Sequence, residues 1–263
     1  VAVKYAVALG DLESVDAESI SRKLVKADLQ FYLALCRGKL ALESGGGKQQ
    51  AAEAMLTFVR SAANSNHFFQ AADLLGDLAV AQGDYDNAVK YYSAISSKAP
   101  WAEDRLRALV AEADALVLQQ SFADAQKKYE SIGSLQADTP ELKRLKLLAE
   151  VGRGRCLAET ASADEGINVL EKLILENDAV DTELFGRAYN ALGDCFQTSE
   201  KPKEALMAYL HVDVLFYGDR DTHAEALYHL SKLWQVARNQ DRAAAAKNLL
   251  QQRYAGSVWA GKP

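Results

Sequence analysis

The chain is poor in residues that carry out chemistry or interrupt helices. Its 263 residues include four prolines, three cysteines and four histidines. An odd number of cysteines without paired spacing argues against a disulfide framework and against a zinc site. The histidines lack metal-ligand spacing, and neither a phosphate-binding loop nor a hydrolase or metalloprotease motif occurs. The sequence therefore predicts a protein that is not an enzyme, with no catalytic residue, no metal site and no cofactor.

Two further absences restrict the kinds of partner and the cellular compartments that the sequence is compatible with. No apolar run approaches the roughly 18 residues of a membrane-spanning helix, and Val1–Gly10 lacks the basic lead of a secretory signal. No run rich in Lys or Arg occurs, and the net charge is -6, so nucleic acid is a poor partner. Because the chain begins without Met, we expect a processed chain or part of a longer protein. The compartment stays open between the cytoplasm and the periplasm or envelope, and the oligomeric state stays open as well.

A small residue recurs at a nearly constant interval, each time in the same local pattern. Successive intervals are 36, 37, 41, 39 and 38 residues, the range of two-helix repeats. Apolar residues between them are spaced three and four apart, and no alternating run of strand-forming residues occurs. The sequence predicts about twelve repeat helices, preceded by a helix from Ala2 to Leu12. The recurring positions are Ala52, Ala88, Ala125, Gly166, Ala205 and Ala243.

The clearest copy of this pattern begins near Gly76, where the missing side chain lets two helices approach closely. Gly83 can adopt positive φ at the end of the first helix, and Pro100 stops the second helix because it lacks an N–H group. An inward-facing tyrosine completes the pattern. Across the copies we assign the structural repeat positions Gly76, Ala88, Tyr92, Pro100, Gly154, Gly193, Ala205 and Tyr209.

Over about residues 28–260 these features resemble the tetratricopeptide-repeat (TPR) family. The ending Tyr254–Ser257 is similar to the Tyr-Pro-Gly-Ser ending of bacterial envelope-assembly TPR adaptors, with Ala255 in place of the proline. The resemblance implies an all-α, right-handed α-solenoid of about six helix pairs. It also implies a single domain over 1–263, in which 1–27 is an N-terminal helical cap or the remnant of a preceding repeat. The implied function is a non-catalytic protein–protein interaction scaffold; the alternative is the accessory TPR region of a larger enzyme or signalling protein.

In this family the first helices of the pairs line a concave groove where partner peptides bind. Aspartates in series along that groove predict an acidic surface that suits a basic or amide-rich partner, and they argue against an acidic C-terminal tail. The alternative is that each aspartate pairs with a neighbouring arginine such as Arg107 or Arg187; both readings stay open. The candidate groove residues are Asp73, Asp77, Asp114, Arg155, Asn190, Asp194, Tyr228 and Lys232.

Helix starts and the last residues give further predictions. Thr139 before Pro140 predicts a capped helix start, and Thr222 with Glu225 three residues later predicts a second one. We expect Trp259 to pack back onto the last repeat helix.

Overall fold

The computed structural model describes residues 2–262, which form thirteen α-helices and a C-terminal 3₁₀ turn, with no strand among them. This confirms the predicted all-α class. The helices are α1 Ala2–Glu13, α2 Lys23–Ser44, α3 Lys48–Ser61, α4 Phe68–Gln82, α5 Tyr85–Lys98, α6 Ala102–Leu118, α7 Phe122–Gly133, α8 Pro140–Thr160, α9 Ala163–Glu176, α10 Thr182–Thr198, α11 Pro202–Leu215, α12 Arg220–Val236 and α13 Gln240–Arg253; the 3₁₀ turn is Val258–Gly261.

After α1, the helices follow one another as six consecutive pairs, α2–α3 through α12–α13. The even-numbered helix opens each pair and the odd-numbered helix closes it. Besides its own partner, α2 contacts α4, and α10 contacts both α8 and α12. Within each unit, these first helices of neighbouring pairs therefore stack on one another, as expected for TPR-like repeats.

The chain divides into two compact units. Unit 1 comprises Val1–Ala108 with Ala255–Val258, and unit 2 comprises Leu109–Tyr254 with Trp259–Pro263. Each unit is described below by itself. The single continuous domain over 1–263 stays a prediction.

The turn between α4 and α5 shows how local sequence ends one helix and starts the next. Gly83 closes α4 with φ 76°, and its amide donates to the carbonyls of Ala79 and Val80. A left-handed conformation of this kind favours glycine, because a Cβ would crowd the backbone. The Asp84 side chain then accepts a hydrogen bond from the amide of Asn87 and caps α5.

Small residues let the two helices of a pair approach closely. A Cβ added at Gly76 would lie 2.4 Å from the Tyr92 ring, and one at Gly193 would lie 2.6 Å from the Tyr209 ring. In the first pair, however, the fully enclosed small residue is Ala51, which is 3% exposed, whereas its neighbour Ala52 is half-buried. The alignment at Ala52 was therefore wrong by one residue.

Two helix starts test the capping predictions. Thr139 caps α8 by accepting a hydrogen bond from the Leu142 amide, and Pro140 is the first helical residue, as predicted. The prediction for α12 was wrong, because Asp219 is the cap and Thr222 lies inside the helix. Glu225 therefore lies in the second turn of α12 rather than in a capping box, and its side chain is buried.

Candidate functional site

Charged side chains from four consecutive even-numbered helices lie close together in unit 2. They come from α6, α8, α10 and α12, which are the first helices of their pairs. Ion pairs and hydrogen bonds join most of them across helix boundaries. We call this set the ionic network, and it consists of Asp114, Arg155, Arg187, Asn190, Asp194 and Glu225.

Two arginines pair with the three carboxylates of the ionic network. Arg187 Nη1 lies 2.7 Å from Asp114 Oδ2. Arg155 lies between two acids, with Nε 2.8 Å from Asp194 Oδ2 and Nη2 3.0 Å from Glu225 Oε1. The Nε contact is off the direction of the N–H bond, so it is an ion pair without a directed hydrogen bond. Arg155 consequently joins α8 to both α10 and α12.

Asn190 anchors the most enclosed part of the ionic network. Its side chain is fully buried and donates to the Thr222 carbonyl at 2.8 Å and to Glu225 Oε2 at 2.9 Å. Glu225 thus receives the Asn190 amide on one oxygen and Arg155 on the other. A buried carboxylate needs such partners, because an isolated charge away from water is strongly destabilised. Asn190 Oδ1 itself is buried without a hydrogen-bond partner among the described residues.

Each of three groove aspartates accepts a hydrogen bond from the tyrosine of the second helix in its own pair. The separation is fifteen residues in every case. Burial, followed by the adjacent aspartate, raises the pKa of Tyr129 and Tyr209 well above the ordinary value. The aspartates therefore orient the tyrosine side chains inside each helix pair. The pairs are Asp77–Tyr92, Asp114–Tyr129 and Asp194–Tyr209.

In unit 1, nearby cationic side chains do not fully offset the negative charge of Asp73 and Asp77. Lys39 Nζ donates to Asp77 Oδ2 at 3.1 Å, whereas Arg107 pairs with Asp104 at 3.5 Å. The Asp73 side chain is exposed, yet nearby protein atoms weaken the hydration of its carboxylate. This desolvation, with Asp77 next in importance, raises the pKa of Asp73 to about 6 in spite of Lys39 and Arg107.

A cavity of about 120 Å³ adjoins the ionic network in unit 2. Its lining combines carboxylate and guanidinium groups with apolar side chains. This charge content differs from the mostly apolar lining of a typical small-molecule pocket. The lining includes Asp114, Tyr129, Val151, Arg155, Arg187, Glu225 and Trp259.

The remaining candidate groove residues lie at the C-terminal end of unit 2. The Tyr228 ring is half-buried and lies 5.5 Å from the Lys232 ammonium and 5.5 Å from the Trp259 ring. Trp259 packs against the core formed by α11, α12 and α13, as expected, but its ring contacts are with α12. Sequence reasoning missed Glu225, which was assigned to a cap, and it gave Trp259 no place in the groove.

Comparison with solved structures shows two similar folds. A tetratricopeptide repeat protein from Parabacteroides merdae superimposes with a TM-score of 0.65 at 15% identity, covering 95% of this chain and 86% of that one. PilW, described as a widely conserved type IV pilus biogenesis factor, superimposes with a TM-score of 0.52 at 13% identity, covering 92% and 98%. The chain has the TPR fold. No protein-family model and no curated protein matches it by sequence.

The ionic network lies on the first helices of four consecutive pairs. None of the helices in residues 2–262 is long and apolar enough to cross a membrane. Burial raises the pKa of Cys156 and Cys195 to about 12.

His229 is held neutral beside the ionic network. Its ring stacks on Tyr209 with centroids 4.7 Å apart, and its Nε2 lies 3.7 Å from Asp194. Burial, with smaller contributions from Arg155 and Lys262, lowers its pKa to about 4 against the opposing effect of Glu225. The folded state therefore binds fewer protons at this ring than the unfolded state between about pH 4 and the ordinary histidine value near 6.5.

We expect this histidine to make unit 2 less stable in mild acid. The stabilisation from the neutral His229 ring is fully present above about pH 6.5 and is lost as pH falls through about 4. The free energy of unfolding should fall by roughly 2–3 kcal/mol over this interval. His229→Phe keeps the stacking and should flatten the difference between urea melts at pH 4.5 and 7.5. His211→Phe, which alters another ring stacked on a tyrosine, serves as the control. An unchanged pH dependence in His229→Phe would contradict the assignment.

Proposed function

We propose that this protein is an interaction scaffold that holds a protein or peptide partner on the face of its even-numbered helices. The observation that carries the proposal is the convergence of charged side chains from four consecutive first helices beside a cavity. Proteins with the TPR fold are in general protein–protein interaction scaffolds, which agrees with this use of the face. Neighbouring repeats give such a face extended contact with one partner segment.

For unit 1 we propose that the partner contributes a basic residue. Asp73 and Asp77 lie one helical turn apart on α4, and only Asp77 has a close ammonium partner, at 3.1 Å. The raised pKa of Asp73 reflects desolvation and acidic neighbours that the local cations do not offset. A Lys or Arg from a partner would relieve this repulsion. Electrostatic complementarity of this type affects the association rate and specificity more than the total affinity.

For unit 2 we propose recognition through exchange of ion pairs. Asp114 and Asp194 already contact Arg187 and Arg155 at 2.7 and 2.8 Å, so the network is nearly balanced in charge. A partner cation there competes with an internal arginine, whose release leaves the guanidinium able to bind a partner carboxylate. Unit 2 would therefore select the pattern of charges in a partner, whereas unit 1 would select a positive charge.

We also propose an envelope-associated role of the kind that bacterial TPR adaptors perform. The likeness in fold to PilW, a pilus biogenesis factor, and the Tyr-Ala-Gly-Ser ending at residues 254–257 support it. A fractionation of cells that produce the full-length protein tests it, and recovery only with cytoplasmic markers would overturn it.

The charge proposal for unit 1 predicts a binding loss without a stability loss. Three fluorescent nonapeptides that differ only in Lys, Gln or Glu at alternate positions are titrated against the protein. Asp73→Asn should weaken binding of the Lys peptide about threefold, the size expected for one exposed ion pair. The difference should disappear near about 0.5 M salt, where screening is strong.

The matched control is Asp86→Asn, which removes the same charge from the exposed side of α5. Melts provide a second readout. The raised pKa of Asp73 places its electrostatic cost above about pH 6, so Asp73→Asn should be as stable as the wild type at pH 7.5 or slightly more so. Equal binding of all three peptides by wild type and both variants would overturn the proposal for unit 1.

A further inference from the structure

The C-terminal turn places an aromatic ring on the face of α12. The Trp259 ring lies 5.5 Å from the rings of both Tyr228 and His229, and it also lines the cavity next to Arg155 and Glu225. The side chain is half-buried rather than enclosed. The core aromatic residue of the preceding pair, Tyr209, is by contrast fully buried. Trp259 thus occupies the surface on which we have proposed a partner.

A positive charge accompanies the ring. The amide of Lys262 approaches the Trp259 carbonyl at 3.4 Å, which places both side chains on the same side of the turn. Lys262 Nζ lies 3.7 Å from the centroid of the Trp259 ring and 5.9 Å from that of Tyr228. This is a cation–π arrangement. Burial lowers the pKa of Lys262, against the opposing effects of Glu225 and Asp194.

Contacts of two kinds therefore converge on one short segment. Tyr228 and His229 supply aromatic surface for the indole, and the faces of the Trp259 and Tyr228 rings lie beside the Lys262 ammonium. Gln251 Nε2 donates to the Ala260 carbonyl at 2.8 Å and holds the backbone between them. An aromatic residue with a cation one turn away is thus the chemistry that this part of the face accepts.

We propose that residues Trp259–Lys262 occupy, within the same chain, the partner site of unit 2, and that the partner segment replacing them carries an aromatic residue followed within one turn by Lys or Arg. This inference rests on the proposed scaffold function and names the partner chemistry for unit 2. The internal segment acts as a competitor, because its covalent connection gives it a high effective concentration. The apparent affinity for a partner is then reduced by the fraction of molecules in which the site is open.

The test uses the segment itself as the probe. A fluorescein-labelled pentapeptide Val-Trp-Ala-Gly-Lys is titrated against wild type, Trp259→Ala and Trp101→Ala. Trp101 is 71% exposed in unit 1 and provides a matched loss of tryptophan. We expect the peptide to bind Trp259→Ala at least about tenfold more tightly than the other two proteins, because the internal competitor has lost its anchor. Peptides with Trp replaced by Ala, or Lys replaced by Glu, should lose this gain.

A second variant guards against misfolding of the first. Lys262→Glu retains the indole but places an acid among acids, so it should also raise peptide affinity, by less than Trp259→Ala. If Trp259→Ala keeps the helical circular dichroism of the wild type and neither variant gains affinity, the proposal is overturned. An equal gain for the peptide in which Lys is replaced by Glu also overturns it. The charge proposal for unit 1 is judged separately, since Asp73→Asn has its own peptides and readouts.

Discussion

Replacing Gly193 by leucine should lower the free energy of unfolding by about 2–3 kcal/mol, the upper part of the range for overpacked cores. A Cβ at this position would lie 2.6 Å from the Tyr209 ring. That ring cannot move aside cheaply, because it is fully buried and its hydroxyl donates to Asp194. Leucine would therefore separate α10 from α11 or displace the tyrosine, and either change disturbs the ionic network. Urea denaturation followed by circular dichroism measures the loss.

The control for this variant is Gly133→Leu. Gly133 is the last residue of α7, and a Cβ there would meet nothing within 4 Å. We expect its stability to match that of the wild type within about 0.5 kcal/mol. Equal stability of Gly193→Leu and Gly133→Leu would mean that the two helices of this pair do not approach as closely as described.

Replacing Arg155 by methionine should cost about 2–3 kcal/mol, because two partly enclosed carboxylates lose their cation. This is less than the roughly 3–5 kcal/mol for one partner of a fully buried ion pair. The side chains of Asp194 and Glu225 are 26% and 10% exposed, so water solvates them in part. Methionine preserves most of the aliphatic length, which keeps the effect of lost packing small. Denaturant melts of the whole chain, monitored by tryptophan fluorescence and circular dichroism, measure the change in the free energy of unfolding.

Arg153→Met provides the comparison two residues earlier on the same helix. Arg153 pairs with Glu150 on its own helix, at a separation of three residues, and should contribute less than about 0.5 kcal/mol. Adding Glu225→Gln to Arg155→Met should recover part of the loss, because it removes one of the orphaned charges. An additive double variant would show that Arg155 and Glu225 are not coupled in solution.

Local patterns were sufficient for the repeat architecture. The spacing of apolar residues predicts the helices, and Gly76, Gly83 and Tyr92 each occupy a position that their chemistry requires. The errors of register also have local causes. Positions 51 and 52 are both alanine, so the sequence pattern does not distinguish them and only packing decides which one is enclosed. Thr222 lies three residues after Asp219, and both residue types are good helix caps. In the structure α12 begins directly after Asp219, so the aspartate provides the cap.

The candidate groove could be predicted only in outline. The repeat register places Asp114, Arg155 and Asp194 on first helices, and the alternative that aspartates pair with arginines such as Arg187 was already open from sequence. Which pairs form was not predictable, because Asp114 and Arg187 are 73 residues apart in the chain. The participation of Glu225 and Trp259 depends on contacts between helices from different repeats.

The sequence by itself thus determined the helix pairs, since each depends on residues a few positions apart: a small residue, a turn glycine and an inward tyrosine within one repeat. Tertiary structure alone decided the chemistry of the face, because its charges come from helices of different repeats and their balance depends on distances that no local pattern encodes. Arg155 illustrates the difference. Its position on a first helix follows from the repeat, whereas its two acidic partners, Asp194 and Glu225, are brought to it only by the stacking of α8, α10 and α12.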